Sequence, residues 1–315
     1  MQKVRFFLQA QHYLELDVPQ LTAYPAAEAY IDSLAVSGKD SVKKHYLYSS
    51  PEYNLKKIAA LSQTGHPEFC RIFNLGHCFR ADGQSGRLHS REFLMLELYN
   101  LEADLITLAS LVQKLLHFVA PDPKQVALIW PVVSMKQIVT DLLHAARIKP
   151  AAGQTVFAQL DAEVQNINPE STTWSESDRF SWYYLHKIEA RLPPTGFYWL
   201  CDFPAHLAAQ SQISGSTCRR IELYYGSIEL GNGYLEDFNA ASMERFYQQE
   251  NEKRQFEEKP IVPVDREFIQ AVSQLELYKN QQRLGNVGSG IAIGLDRLFM
   301  VLTGLESLSN SSPFQ

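Results

Sequence analysis

"FNLGHCFRADGQSGRLHSREFLMLELY", residues 73–99, is the stretch whose reading decides the fold. Apolar ends flank a polar, glycine-containing centre, so it reads as an antiparallel hairpin with an extended loop. The loop carries more chemistry than a connection needs. Arg80 closes the first strand, Arg87 and His89 lie in the turn, and Glu92 and Glu97 return interleaved with apolar residues. Two guanidiniums and an imidazole repel one another unless acids compensate them or an anion sits between them, and the planar fork of arginine suits phosphate oxygens. A solvated charged turn is the plainer account of these residues taken alone. Glu97 and Tyr99 stand two strand steps apart, which puts an acid and a phenol on one face. Phe93 reads either as core or as a flat surface for a base.

Working outward, "IELGNGYLE" at 228–236 gives Asn232, Tyr234 and Glu236 one parity, while Glu229 stands at an odd separation from Glu236. The paired glycines permit a bulge that would bring Glu229 round to the same face. An acid facing inward needs an arginine or a bound cation, because a buried unpaired carboxylate is costly or takes up a proton. For Glu236 and Glu97, a structural salt bridge or a solvent-facing position is the blander alternative. "GSGIAIGLDRLFMVLTGL" at 288–305 is a glycine-rich strand that feeds a helix near Asp296, with Arg297 at its start. Backbone donors and a guanidinium there suit an anion, although a helix-end cap also explains them. In "SPEYNLKK" at 50–57, Pro51 opens a helix and Ser50 is placed to cap it.

With 29 basic and 35 acidic side chains the net charge is -6, so no bulk attraction to nucleic acid is expected, a local patch aside. The 45% hydrophobic and 20% charged fractions place the chain among globular proteins and against general disorder. Four cysteines lack any CxxC or zinc-type spacing, which fits a reducing cytoplasm. There is no run of 18 or more apolar residues and no basic-then-apolar leader, so neither a membrane span nor a signal peptide is expected.

Residues 2–19 read as helix into strand, and 101–120 as a helix ended by Pro121. A block at roughly 121–195, with two short helices, reads as a peripheral subregion of one domain spanning 1–315. "RRIELYYGSIELGNGYLE" reads as a second hairpin turning at Gly226, and 240–258 as a polar helix. These elements predict an α+β class, a mainly antiparallel sheet flanked by helices. No GxGxxG or GxxxxGK[ST] motif supports a dinucleotide or P-loop fold.

Taken together, these segments resemble the class II aminoacyl-tRNA synthetase catalytic core. "FR…RLHSREFLMLELY" is similar to its second signature, "GIAIGLDRL" to its third, and "YLELDVP" at 13–19 to its first, which in that family supports a dimer interface. "SPEYNLKK", "LELY" and "IELGNGYLE" resemble the lysyl type. The first signature begins almost at Met1, so no N-terminal anticodon-binding domain is expected. The pattern is most similar to the stand-alone lysyl-synthetase paralogues that attach (R)-β-lysine to a lysine of elongation factor P. Ala292 stands where lysyl-tRNA synthetases have glycine and those ligases do not.

The resemblance implies ATP and Mg²⁺, lysine or β-lysine as substrate, elongation factor P as acceptor, a homodimer, and no stable complex with tRNA. It implies that Arg80 and Arg297 are catalytic. Arg80 would hold the α-phosphate, and Arg87, His89 and Arg297 the outer phosphates. Asp82 would approach the nucleotide, and Phe93 would stack on adenine. Glu229 and Asn232 would hold the metal. Ser50, Glu52, Glu97, Tyr99, Asn232, Tyr234, Glu236 and Ala292 would line the amino-acid side. Two departures stand out: "FRAD" shortens the family's glutamate to Asp82, and "HSREF" replaces HNPEF after a loop one residue longer.

Overall fold

The computed structural model describes residues 1–38, 44–81, 86–148, 153–282, 285 and 287–308. It divides into two units: Met1–Leu128 with Glu236–Gln315, and Ile129–Leu235.

In the first unit four strands lie in the order Leu14–Glu15, Arg71–Phe79, Glu92–Asn100, Ser289–Gly294. The first pair is parallel and the other two are antiparallel. The expected hairpin is present, in unbroken register from Arg71 opposite Asn100 to Phe79 opposite Glu92. Alternation along these strands gives two unlike faces. Phe73, Leu75, Leu96, Leu98, Ile291 and Ile293 share one face and are buried. The other face carries Phe93, Met95, Glu97 and Tyr99, flanked in register by Gly76 and Cys78 on one side and Gly290 and Ala292 on the other. Small neighbours leave room there for long polar side chains.

That polar face backs onto helices Glu52–Ala59, Ala240–Phe256 and Arg266–Gln281, through Leu55, Phe246, Phe268 and Val272 among others. The hydroxyl of Ser50 accepts the Glu52 N–H at 3.0 Å, so it caps the first of these although Pro51 is the boundary residue. The last was not singled out by the sequence reading. It is capped by Asp265, which accepts from Phe268 N–H at 3.0 Å, and Phe268, Ile269, Val272 and Leu275 give it a buried face. Asp104 likewise caps Leu105–Val119, the helix expected before Pro121.

In the second unit one set of strands lies in the order Ile228–Leu235, Arg220–Tyr225, Phe197–Cys201, Val132–Ser134, the last pair parallel, and Ile213–Ser214 pairs separately with Thr217–Cys218. Its hairpin turns at Gly226, whose φ of 54° and contact with the Pro194 carbonyl leave no room for a side chain. Helices Met135–Ala145, Val156–Ile167 and Glu176–Tyr183 bury Val139, Leu160 and Phe180 in a shared core. The sequence reading expected two short helices in this block; side-chain caps at Ser134, Thr155 and Ser175 start three.

All four cysteines are free, with Cys70, Cys78 and Cys218 buried. Among the described residues no helix is long and apolar enough to cross a membrane.

Candidate active site

Three chain segments meet at the loop end of the first hairpin. Arg80 directly follows its strand, and its backbone N–H donates to the Arg91 carbonyl at 2.9 Å. Its guanidinium lies 5.2 Å from the centroid of the Phe93 ring. The buried Nε of Arg80 has no hydrogen-bond partner among the described residues. An arginine N–H buried in this way is costly unless an acceptor meets it, and a phosphate oxygen fits that need. Arg297 lies in the first turn of helix Leu295–Thr303, and its Nε donates to the Leu88 carbonyl at 3.0 Å, docking the guanidinium on the hairpin loop. Asp296 accepts the Leu94 N–H at 2.7 Å and ties the start of that helix to the central strand; burial holds its carboxyl above the usual range. Arg87 and His89 are exposed on the turn closed between Gly86 and His89. Asp82 lies outside the described residues.

Further along the polar face sits a buried set of acids. Glu97 is 2% exposed and accepts from the hydroxyls of Ser50 at 2.6 Å and Tyr99 at 2.8 Å. Burial, and then the charge of Glu52, push its carboxyl up, and the two hydroxyl donors partly offset this. Glu236, 1% exposed, is likewise raised by burial, with Lys56 pulling it down. Lys56 Nζ lies 2.6 Å from Glu236 Oε2 and 2.6 Å from Glu52 Oε1. Ala292 faces Glu97 in register, and Gly290 faces Tyr99. A Cβ on Gly290 would lie 2.3 Å from the Tyr99 ring and 3.0 Å from Glu236 Oε1, so only glycine lets the phenol cross the strand here. A cleft lined by Tyr24, Glu28, Tyr48, Ser50, Glu52 and Tyr53 opens beside the same helix start.

Of the predicted residues in this unit, the structure thus brings together Ser50, Glu52, Glu97, Tyr99, Glu236 and Ala292, and separately Arg80, Phe93 and the loop that Arg297 touches. Lys56 was missed. The signal for it was its position four residues after Glu52, which on a helix puts the two side chains on one face.

The second unit holds Glu229, Asn232 and Tyr234. The register steps from Leu223 opposite Gly231 to Tyr224 opposite Glu229, so Leu230 is the extra residue of a bulge. That bulge resolves the odd spacing: Glu229, Asn232 and Tyr234 are half-buried while Leu230, Gly231, Gly233 and Leu235 are buried. Asn232 lies opposite Glu222, and Tyr234 opposite Arg220. Glu222, also missed from the sequence, pairs with Arg220 and accepts from the Tyr224 hydroxyl at 3.0 Å. Burial raises its carboxyl, Arg220 lowers it, and the charge of Glu229 raises it again, so the two acids feel each other. Among the described residues no three His, Cys, Asp or Glu side chains converge as a metal cage. Magnesium asks for less, one or two carboxylates with phosphate oxygens and water completing its shell, and the Glu222, Glu229 and Asn232 set fits that demand.

The family model for tRNA synthetases class II (D, K and N) matches residues 1–315. The chain belongs to this family, and its α+β fold is that of a class II synthetase catalytic core, a scaffold for ligase chemistry through adenylation. Among individual relatives, the elongation factor P–(R)-beta-lysine ligase of Proteus mirabilis (strain HI4320) is 27% identical over 321 residues, covering 99% of this chain and 91% of that protein.

Proposed function

We propose that this protein activates a diamino acid, lysine or (R)-β-lysine, with ATP and transfers it to a lysine side chain of elongation factor P. The observation that carries this reading is the buried carboxyl set Glu97 and Glu236 with the Tyr99 phenol, on the same sheet face as Arg80 and Phe93. Acids buried this deeply favour ligands that bring positive charge, and a diamino acid brings two ammonium groups. The ligase from Proteus mirabilis supports the choice of amino acid and acceptor by its name.

In this mechanism the amino-acid carboxylate attacks the α-phosphorus in line, forming the aminoacyl-adenylate and releasing pyrophosphate. Arg80 meets the α-phosphate oxygens with its guanidinium while Phe93 offers its ring to the base; Arg297, Arg87 and His89 receive the outer phosphates. Glu229 and Asn232, with Glu222 beside them, would hold Mg²⁺, which when bound would supply neutralisation of phosphate charge. No protein nucleophile is needed, since positioning and charge stabilisation carry the step. The ε-amine of the acceptor lysine then attacks the adenylate carbonyl carbon. The amide bond forms, AMP leaves with the C–O bonding pair, and the amine proton passes to solvent. We also propose a cytoplasmic homodimer, whose contact involves the "YLELDVP" segment.

The test is amino-acid-dependent pyrophosphate exchange with lysine and (R)-β-lysine, followed by locating labelled amino acid by mass on elongation factor P or tRNA. Exchange with label on the factor supports the proposal. No exchange with any diamino acid overturns the enzymatic reading and leaves a non-catalytic binding protein. Label on tRNA reverses the acceptor. Rapid exchange with neither loaded points to another carrier, in keeping with the altered "FRAD" and "HSREF" segments.

A further inference from the structure

Lys56 has no part in that mechanism, yet its ammonium is buried beside the acid set. Its side chain is 3% exposed, it lies 2.6 Å from both Glu52 and Glu236, and it stands 5.6 Å from the centroid of the Tyr99 ring. Both acids are nearly buried, at 15% and 2% side-chain exposure. Two carboxylates forced this close repel one another unless a cation stands between them, and Lys56 stands there. Among the described residues the groups that also feel these two acids include Glu28, Tyr53, Glu97, Tyr99 and Asp237, all of them acids or phenols. Resting on the diamino-acid reading, we infer that Lys56 is a specificity-determining residue: it bridges Glu52 and Glu236 and fixes both acids in place, so that the pocket prefers an amino acid with a second ammonium group over its uncharged isostere.

The geometry gives Lys56 this role at some distance from the chemistry. It belongs to helix Glu52–Ala59, whose start is held by Ser50, and Ser50 also donates to Glu97. One turn of helix therefore sets the position of Glu52, Lys56 and a donor to Glu97 together. A purely structural ion pair would join this helix to Glu236 without affecting which ligand the pocket selects, and that difference is measurable.

Calorimetric binding of lysine and of norleucine to the full chain, compared among the parent, Lys56→Gln, Lys56→Met and Lys56→Arg, provides the test. The parent should prefer lysine. Lys56→Gln and Lys56→Met should reduce that preference roughly tenfold or more, the loss of a charge-assisted contact, with norleucine affinity little changed. Lys56→Arg should retain it. In pyrophosphate exchange the two uncharged variants should raise KM for lysine more than they lower kcat. A folded Lys56→Gln or Lys56→Met protein with the parent's preference overturns the inference, as does a parent that does not distinguish the two ligands. If the uncharged variants fail to fold, loss of preference in Lys56→Arg overturns it and retention supports it. A parent that prefers lysine but catalyses no exchange sinks the proposed reaction while leaving the role of Lys56 standing.

Discussion

Glu97 works under two opposed demands. Burial lifts its carboxyl from 4.5 to about 8, so the folded protein holds a proton there that the unfolded chain has already lost. Between those values the unfolded state binds fewer protons, and the stability contributed by this group falls as pH rises. Ligand binding runs the other way, because an ammonium group prefers the ionised acid. KM for lysine in pyrophosphate exchange should therefore fall between about pH 6 and 8, by up to about tenfold per unit, and Glu97→Gln should flatten the profile. The thermal midpoint without amino acid should decline over the same range. Gly290 tests the neighbouring phenol. In Gly290→Ala the added Cβ would collide with the Tyr99 ring, so the ring must move and its hydrogen bond to Glu97 must break. A cost of about 1–3 kcal/mol in denaturant unfolding is expected, with a raised KM for lysine.

Among the elements, helix Ala240–Phe256 acts on the segment that lines the cleft. Arg254, buried in this helix, donates to the carbonyls of Ala26, Glu28 and Ile31, and Glu250 accepts the Ala29 N–H at 2.7 Å. These contacts pin a stretch that contains a turn but no helix or strand. Arg254→Met should cost about 3 kcal/mol in global stability and speed amide exchange at Ala29 more than in the central strands. The hairpin behaves differently. Because Arg80 leaves its Nε without a partner among the described residues, Arg80→Ala should change the unfolding midpoint little while lowering pyrophosphate exchange roughly 100-fold or more. A large loss of stability in that variant would instead make Arg80 a structural residue.

For the molecule as a whole, the amino-terminal segment bears on assembly. Leu14–Glu15 adds a short parallel strand beside Arg71–Phe79, and Phe6 and Leu14 remain exposed nearby in sequence. Exposed apolar side chains near the proposed contact favour coverage by a second copy. Sedimentation equilibrium should give about twice the 35.8 kDa chain mass at micromolar concentration, and a mass of one chain across that range would reject the dimer. The charge of -6 leaves recognition of tRNA to a local patch, so loading of elongation factor P is expected to exceed loading of tRNA in the labelling experiment.

Local sequence by itself determined the first hairpin, from apolar ends around a glycine-containing turn, the shared face of Glu97 and Tyr99, from the two-residue repeat of a strand, and the helix start after Ser50, from Pro51 and a capping hydroxyl. It also exposed the odd spacing of Glu229, for which the glycines permitted a bulge. Only the tertiary structure put that bulge at Leu230, set Ala292 opposite Glu97, and closed Lys56 onto Glu236. Pairings of that kind join residues far apart in the chain, and no local pattern encodes which acid a buried lysine will reach. Helix Arg266–Gln281 needed its partners for a related reason: its polar composition hides a buried face that becomes evident only against helix Glu52–Ala59. Chain-local geometry is written in the order of residues, whereas the charge balance of a buried site depends on which distant segments share the same small volume.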